Sequence, residues 1–332
     1  MTGGYVCADK MKISREFMPM ETDLILFTGN ANPELANKIT RYLDLPLGKA
    51  TVSSFADGET RVELHSNVRG SSVYIVQPTN SPANHQIMEA LIMADACKRA
   101  SAKEITLVMP YFGYARQERK SAPRTPITAK LVADLIEASG VTRVLTMELH
   151  TAAIQGFFTI PVDHLFAKPV FADYFQKFTS SEMVVVSPDA GGVERARAYG
   201  KLLDSGLAII DKRRDRPNES AVMHIIGNVE GKHCLIVDDI VDTAGSLTKA
   251  AQALKENGAL SVSAAIAHPV LSGPAVERIE ESCLEELIVT DSIPLGLEAK
   301  KCKKIVQISV SELLGKAIRR IHNQDSVSSL FI

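Results

Sequence analysis

The residues best suited to chemistry lie in one segment, HCLIVDDIVDTAGS, at positions 233–246. An apolar run ends there in two acids, Asp238 and Asp239, and a third acid, Asp242, precedes a short Thr-Ala-Gly-Ser stretch and a helix-forming sequence. A strand, a tight loop and a helix N-terminus in this order would present backbone N–H groups to an anion. Carboxylates on the same loop can accept hydrogen bonds from sugar hydroxyls. The segment therefore predicts a pocket for a phosphorylated sugar.

The alternative is structural: Asp238 and Asp239 could be a polar strand end followed by a helix cap. That alternative accounts for two adjacent acids. It does not account for the whole succession of acids, hydroxyls and glycine, which favours the phosphate loop.

The elements that would position this loop alternate regularly along the chain. Helical spacing predicts helices at residues 33–42, 83–98, 127–138 and 193–203, and residues 61–64 alternate like a half-exposed hairpin strand. Alternation of strands and helices predicts an α/β fold with mainly parallel sheets, whose ligands lie beyond the carboxyl ends of the strands. Apolar runs predict strands at residues 23–27, 72–77, 104–109, 143–149, 183–187, 207–211, 233–239, 262–268 and 286–290.

Four more clusters follow predicted strand ends, and each has a plainer alternative. Asp189 beside a Gly-Gly turn could hold Mg²⁺ while amides cradle a diphosphate, or it could cap a turn. His150 could be a ligand, although a lone histidine there is more often structural. The basic stretch 212–218 could be a mobile basic loop or a solvated turn. Arg116 and Gln117, next to tyrosines and a phenylalanine, suit base stacking and phosphate contact, or an ordinary interface.

Composition limits the other options. A chain of 332 residues, 45% hydrophobic and 23% charged, suits about two globular domains. The net charge of −2 gives no general attraction to nucleic acid or to acidic membranes, and no apolar run reaches the roughly 18–20 residues that span a bilayer. Five scattered cysteines without CxxC spacing predict reduced thiols in a cytoplasmic protein. Residues 1–20 lack the apolar core of a secretory signal and predict an unstructured extension.

These clusters together carry a resemblance. From about residue 23 to its end, the chain resembles the class I ribose-phosphate pyrophosphokinases, also called 5-phosphoribosyl 1-pyrophosphate synthetases. The VDDIVDTAG block alone would indicate only the wider phosphoribosyltransferase fold. The matching blocks are FADGE (55–59), YARQERK (114–120), ELHTAAIQGFF (148–158), SPDAGG (187–192), DKRRDRPN (211–218), VDDIVDTAGS (237–246), HPVLSGPA (268–275) and SVSSLF (326–331).

The resemblance implies two similar domains of the phosphoribosyltransferase type with the active site between them. They would comprise residues 21–161 and 162–314, with residues 315–332 joining the first and the helix at 310–322 returning to it. It also implies a cytoplasmic homohexamer built from dimers, with an ATP site shared between subunits. The family is activated by inorganic phosphate and inhibited by ADP.

The resemblance further implies transfer of the β,γ-diphosphoryl group of MgATP to the anomeric hydroxyl of ribose 5-phosphate. Phe55, Asp57, Glu59, Arg116 and Gln117 would bind ATP, His150 and Asp189 would bind Mg²⁺, and Lys212 and Arg214 would be catalytic. Ribose 5-phosphate would contact Asp238, Asp239, Asp242, Thr243, Ala244, Gly245 and Ser246, and the allosteric set would be Gln155, Asp163, Ser326 and Ser328.

The chain departs from the family pattern in a few positions. Glu118 replaces the usual Asp of the YARQD block, residues 121–123 (Ser-Ala-Pro) replace a charged stretch of the allosteric site, and Ser246 replaces Thr. Thr159 stands where FFDIP is common, and Ser329 replaces a Tyr. We therefore expect intact catalysis and weakened or altered inhibition by ADP.

Three other functions compete with the synthetase. A nucleobase phosphoribosyltransferase shares the VDDIVDTAG loop but needs no adenine grip such as FADGE. A non-catalytic regulatory subunit would have lost charged residues of the catalytic set, and this chain keeps them. A DNA-binding regulator is disfavoured because the sequence has neither an added helix-turn-helix nor a basic stripe.

Overall fold

Two mainly parallel sheets form the framework of the computed structural model, which describes residues 24–175, 182–213 and 222–330. The predicted extension at residues 1–20 lies outside these ranges. In chain order the strands are β1 (Leu24–Thr28), β2 (Ala50–Ser54), β3 (Thr60–Leu64), β4 (Ser72–Val76), β5 (Glu104–Met109), β6 (Arg143–Met147), β7 (Val162–Leu165), β8 (Met183–Ser187), β9 (Gly206–Arg213), β10 (Val222–Ile226), β11 (His233–Val241), β12 (Ser261–Pro269), β13 (Glu286–Thr290) and β14 (Ile305–Ile308).

The helices alternate with these strands. Short 3-10 turns also occur, the longest at Ala152–Phe157. The α-helices of the described residues are α1 (Pro33–Leu43), α2 (Ala83–Arg99), α3 (Thr128–Ala138), α4 (Lys168–Phe175), α5 (Val193–Leu202), α6 (Gly245–Glu256), α7 (Ala275–Glu281), α8 (Leu297–Lys301) and α9 (Ser311–His322).

The first sheet has the strand order β1-β4-β5-β6-β7, and all its pairs are parallel. The second has the order β10-β9-β8-β11-β12-β13-β14 and is parallel except for the edge strand β10. β2 and β3 form a separate antiparallel hairpin. Central strands such as β4 and β8 are buried at every residue, as expected when helices cover both faces. The predicted α/β fold class is confirmed.

The predicted strands and helices all appear, with ends shifted by a few residues. β2, β7, β10 and β14 were not predicted, because short or polar strands at a sheet edge or in a hairpin lack a continuous apolar run. β7 pairs with β6, so the first sheet continues to Leu165. The domain boundary predicted after residue 161 therefore precedes the last strand of that sheet.

One apolar cluster joins the two sheets. It contains buried side chains from both, including Leu145 of β6 and Leu235 of β11, together with Leu314 and Ile318 of α9. The C-terminal helix α9 packs on α1, beside the first sheet: the guanidinium carbon of Arg319 lies 5.4 Å from the ring centroid of Tyr42, and Arg319 donates a hydrogen bond to the Tyr42 carbonyl oxygen. Among the described helices, none has the length and apolar character needed to cross a membrane.

A buried carboxylate makes a second connection. Asp291, just after β13, accepts hydrogen bonds from Lys38 Nζ of α1 (3.0 Å), from Ser309 Oγ (2.6 Å) and from the backbone N–H of Val310 (2.8 Å). The side chain of Asn32, the N-cap of α1, donates to the Asp291 carbonyl oxygen at 2.8 Å. The start of α1 is thereby held against the second sheet.

His268, in β12, makes a third connection and is fully buried. Its Nε2 lies 3.2 Å and 3.1 Å from the carbonyl oxygens of Met147 and Glu148, at the end of β6. Because carbonyl oxygens only accept, Nε2 carries the proton, and Nδ1 accepts from Ser292 Oγ at 2.9 Å. Burial lowers the pKa of His268 to about 4.

The lowered pKa predicts a pH dependence of stability. An unfolded histidine has a pKa of about 6.5, so the stabilisation is complete above that pH and is lost as the pH falls towards 4. Between pH 7 and pH 5, protonation of this histidine in the unfolded chain should lower the free energy of unfolding of the parent by about 2 kcal/mol. We expect His268→Asn to lack this contribution, as measured by urea denaturation at the two pH values. Ser292→Ala is the control, because it removes a partner but keeps the titrating ring. Equal acid sensitivity of His268→Asn and the parent would contradict the assignment.

Candidate active site

A cavity of about 740 Å³ opens where the carboxyl ends of the two sheets meet. The first sheet contributes the loops after β5 and β6, and the second contributes the turn after β8, the end of β11 and the start of α6. The lining residues with polar side chains or anion-binding backbone are Arg116, Glu118, Arg119, His150, Thr151, Asp189, Gly191, Gly192, Arg195, Asp238, Asp239, Asp242, Thr243, Ala244, Gly245 and Ser246.

The predicted phosphate loop lies on this cavity. β11 continues through both acids to Val241, because β12 pairs with it along that length. The strand end therefore lies two residues later than predicted. Ala244 adopts a left-handed conformation (φ 59°) and caps α6, which begins at Gly245. The first N–H groups of a helix have no intrahelical acceptor, so the start of α6 is suited to bind an anion.

A second turn faces the same cavity. Asp189 follows β8, and its Oδ1 accepts a hydrogen bond from the backbone N–H of Gly192 at 3.0 Å, just before α5. A Cβ at Gly192 would lie 2.8 Å from Ser187 Oγ, so a larger residue would require Ser187 to shift. The structure thus brings the two predicted anion-binding turns to one cavity.

Arg195, which the sequence did not single out, lies at the floor of the cavity. Its Nη1 is 3.1 Å from Asp238 Oδ1 and 3.2 Å from Asp239 Oδ1, and its Nε is 3.6 Å from Glu148 Oε2. Its side chain is only 19% exposed. From the sequence alone, an arginine on an amphipathic helix is expected on the surface. Its position in the first turn after the Gly-Gly pair was the available signal.

The two adjacent acids differ in proton affinity. Burial alone would raise the pKa of Asp239, but the hydrogen bond from His150 and the charge of Arg195 outweigh it and hold the pKa below its ordinary value. Burial, and then the neighbouring Asp239 carboxylate, raise the pKa of Asp238. Asp238 is therefore the carboxyl that takes up a proton first.

The environment of His150 fits a metal ligand. Its Nδ1 lies 2.9 Å from Asp239 Oδ2, and this hydrogen bond raises the pKa of the ring. A carboxylate accepts, so Nδ1 is the donor, and Nε2 of the neutral ring is left with its lone pair.

Asp189 lies on the same cavity, and its Oδ2 makes no hydrogen bond among the described residues. Those residues contain no group of three or more His, Cys, Asp or Glu side chains that could hold a metal ion. Mg²⁺ is usually held by one or two carboxylates together with water and substrate phosphates, so Asp189 fits this cation and His150 is an unusual ligand for it.

An ion pair joins the loops of the two sheets across the cavity. Arg116 Nη1, after β5, lies 2.8 Å from Asp242 Oδ2, and the hydroxyl of Ser272 donates to the other oxygen of Asp242. Burial would raise the pKa of Asp242, but these two contacts lower it. Arg116 and Asp242 are both predicted substrate-binding residues.

Other predicted site residues lie away from the cavity. Phe55, Asp57 and Glu59 lie in the exposed turn between β2 and β3, where Glu59 N–H donates to Asp57 Oδ1 at 3.1 Å. Gln117 is exposed and accepts a hydrogen bond from Thr128 Oγ1 at 2.6 Å. A single chain does not bring these four residues into the cavity.

Of the two predicted catalytic residues, only Lys212 lies within the described ranges. The backbone of Lys212 belongs to β9 and pairs with Met223 of β10. Arg214 lies outside the described residues. The start of the predicted mobile loop, residues 212 and 213, is therefore strand.

The hydrogen bonds of the described residues do not join the four predicted allosteric residues into one network. Asp163 pairs with Arg143 at 2.7 Å, and Gln155 donates to the Ala152 carbonyl at 3.1 Å. Ser326 Oγ accepts from Ser328 N–H at 3.2 Å, near the C-terminus. Within the described ranges, no hydrogen bond links the two serines to Gln155 or Asp163.

Two mainly parallel sheets, with the predicted anion-binding turns after β8 and β11 on one cavity, are the architecture of an α/β transferase of the phosphoribosyltransferase type. Residues 24–140 match the N-terminal domain of ribose phosphate pyrophosphokinase, and residues 214–332 match the phosphoribosyl synthetase-associated domain. The chain belongs to the ribose-phosphate pyrophosphokinase family. The family and the enzyme class predicted from the sequence are confirmed.

Individual relatives agree with this assignment over nearly the whole chain. The ribose-phosphate pyrophosphokinase of Marinomonas sp. (strain MWYL1) is 56% identical over 310 residues, which are 93% of this chain and 98% of the relative. That of Corynebacterium ammoniagenes is 53% identical over 312 residues, 94% of this chain and 98% of the relative. The crystal structure of phosphoribosylpyrophosphate synthetase from Mycobacterium smegmatis superposes with a TM-score of 0.86 at 40% identity, covering 91% of this chain and 99% of that one.

The environment of Arg195 predicts a large effect on stability. Arg195→Met keeps much of the side-chain volume but leaves the carboxylates of Glu148, Asp238 and Asp239 without their cation. Breaking a buried ion pair from one side costs about 3–5 kcal/mol, so we expect a loss of that order in the free energy of unfolding. Arg197→Met is the matched control, because Arg197 is exposed on the same helix. Equal stability of the two variants, measured by chemical denaturation, would contradict the role of Arg195.

Proposed function

We propose that the enzyme transfers the β,γ-diphosphoryl group of ATP to the anomeric hydroxyl of ribose 5-phosphate, giving 5-phosphoribosyl 1-pyrophosphate and AMP for nucleotide synthesis. The observation that carries this proposal is the pair of anion-binding turns, at Asp189 and at residues 242–246, on one cavity. A sugar phosphate and a nucleotide diphosphate need two such turns within reach of each other. The family name describes the same reaction.

Ribose 5-phosphate occupies the β11 side of the cavity in this proposal. Its 5-phosphate binds the N–H groups and hydroxyls of residues 242–246, at the positive end of α6. Asp238 and Asp239 face the ribose hydroxyls, with Arg195 fixing their orientation. The sugar is thereby held with its anomeric carbon towards the Asp189 turn.

ATP occupies the other side. Arg116 reaches the cavity and meets the phosphates, whereas Phe55, Asp57, Glu59 and Gln117 lie outside it in a single chain. The exposed β2–β3 turn suits contact with adenine and ribose at the site of a neighbouring subunit: Phe55 is 51% exposed and offers stacking area. Such a shared site requires self-association, and we propose a homohexamer built from dimers.

His150, through Nε2, and Asp189 would hold Mg²⁺ beside the ATP phosphates. When bound, the cation supplies positive charge that neutralises the transferred group. The residues of the chain act mainly by positioning: they align the anomeric hydroxyl with the β-phosphorus and keep water out. Lys212 and Arg214 would meet the charge that develops on the diphosphate and on AMP.

The competing functions fit the chain less well. A nucleobase phosphoribosyltransferase does not account for 53–56% identity to ribose-phosphate pyrophosphokinases along the whole chain. A silent regulatory subunit does not account for the retained charges at His150, Asp189, Asp238 and Asp239. We further propose a cytoplasmic enzyme, in line with four unpaired cysteines among the described residues, and activation by inorganic phosphate.

The reaction can be tested by incubating the protein with Mg²⁺, ATP and ribose 5-phosphate and following AMP. We expect AMP to appear only when the sugar phosphate is present. Formation of AMP without the sugar would indicate a different ATPase activity. No AMP under any phosphate concentration would refute the proposed function.

The role of Lys212 predicts a specific kinetic defect. Lys212→Ala should reduce kcat by roughly 10²-fold or more, because it removes a charge that stabilises the transition state. Lys201→Ala, at an exposed position of α5, serves as the control and should keep the parent kcat. A change in KM alone for Lys212→Ala would show that the residue binds substrate without acting in the chemical step.

The departures from the family pattern predict altered regulation. With Ser-Ala-Pro at residues 121–123 in place of a charged stretch, ADP should inhibit several-fold more weakly than in a relative with the usual sequence. The measurement is inhibition by ADP at saturating ATP and phosphate for both enzymes. Inhibition as strong as that of the relative would contradict this expectation.

A further inference from the structure

The predicted phosphate loop, residues 242–246, and the end of β11 accept hydrogen bonds from residues 271–278, the segment that follows β12. The backbone N–H of Leu271 donates to the Val241 carbonyl oxygen at 3.1 Å, and that of Ser272 donates to the Asp242 carbonyl oxygen at 3.0 Å. Nη1 of Arg278, on α7, donates to the Thr243 carbonyl oxygen at 2.9 Å. Three consecutive carbonyl groups of the loop are thus bound on the same side.

This contact fixes the direction of the loop's N–H groups. In a planar trans peptide, the C=O of one residue and the N–H of the next point in opposite directions. With the carbonyls of residues 241–243 turned towards the segment 271–278, the N–H groups of residues 242–244 point the other way, towards the cavity. No hydrogen bond from these three N–H groups is found in the described part of the chain. The segment therefore presents them to an anion.

Arg278 adds charge to this arrangement. A Cβ at Gly245, the first residue of α6, would lie 3.3 Å from Arg278 Nη1, so the guanidinium stands beside the helix N-terminus. A cation at the positive end of a helix dipole is unfavourable unless an anion is present. Arg278 does not line the cavity, so it acts through the loop and not by direct contact with the substrate.

We infer that Arg278 is a positioning residue for ribose 5-phosphate: it binds the Thr243 carbonyl and thereby holds the N–H of Ala244, beside those of residues 242 and 243, towards the 5-phosphate. This inference rests on the proposed function. The inference assigns a role to residues 272–275 and to α7. The sequence of this region alone did not indicate any chemistry.

The test is a comparison of Arg278→Ala, Arg278→Lys and the parent in steady-state kinetics. Loss of a charged hydrogen bond to the loop should raise KM for ribose 5-phosphate roughly 10-fold while KM for ATP changes less than about twofold. Lysine can donate to one carbonyl and should restore part of the affinity. Lys300→Ala, an exposed cation on α8, is the control and should leave both KM values unchanged.

Direct binding gives a second measurement. Calorimetric titration of ribose 5-phosphate without ATP should show the same loss of affinity in Arg278→Ala, with unchanged thermal stability of the free protein. An unchanged affinity, or an equal rise in both KM values, would overturn the inference. If the parent itself forms no AMP from ribose 5-phosphate, the proposed function fails first; an active parent with a fully active Arg278→Ala refutes the positioning role alone.

Discussion

The buried guanidinium of Arg195 is the interaction on which the candidate site depends. Glu148 comes from the first sheet, and Asp238 and Asp239 come from the second, yet all three carboxylates converge on this residue of α5. Removing a carboxylate from water is costly, and three together would also repel one another. A single cation therefore makes it possible to place acids from both sheets at one cavity. Because Asp239 also binds His150, the same interaction orients the predicted metal ligand.

The apolar framework explains why this polar centre can be held in register. The core cluster shared by the two sheets lies beneath the site, and α9 returns to α1, so the strand ends are positioned by packing rather than by the polar contacts themselves. Asp291 and His268 add hydrogen bonds between the sheets, both with satisfied partners. Buried polar groups of this kind contribute little net stability but are costly to disrupt. They restrict the position of Arg116 and His150, which follow strands of the first sheet, relative to the two turns of the second sheet.

The sequence predicted those parts of the framework that have a clear local sequence pattern. Long apolar runs located the buried strands, and the succession of acids, hydroxyls and glycine located the loop that lies on the cavity. Polar edge strands such as β7 gave no comparable signal, because Asp163 and His164 interrupt the apolar pattern. Arg195 and Arg278 were not predicted, for a different reason. Each looks like a surface cation on a helix, and only the packing of that helix reveals which carboxylate or carbonyl it meets.

The departures from the family pattern differ in how close they lie to the cavity. Thr159, where the family commonly has an acid, donates from both its N–H and its hydroxyl to the Glu137 carboxylate at 2.5 Å. Slight burial would raise the pKa of Glu137, but these hydrogen bonds lower it. An aspartate at 159 would instead place two carboxylates together, so threonine suits this local environment. At the cavity, by contrast, Glu118 and Ser246 keep the charge or the hydroxyl of the residues they replace. The substitutions at the cavity thus keep the chemistry of the residues they replace, and those away from it change the polarity. This distribution agrees with the expectation of intact catalysis and altered regulation.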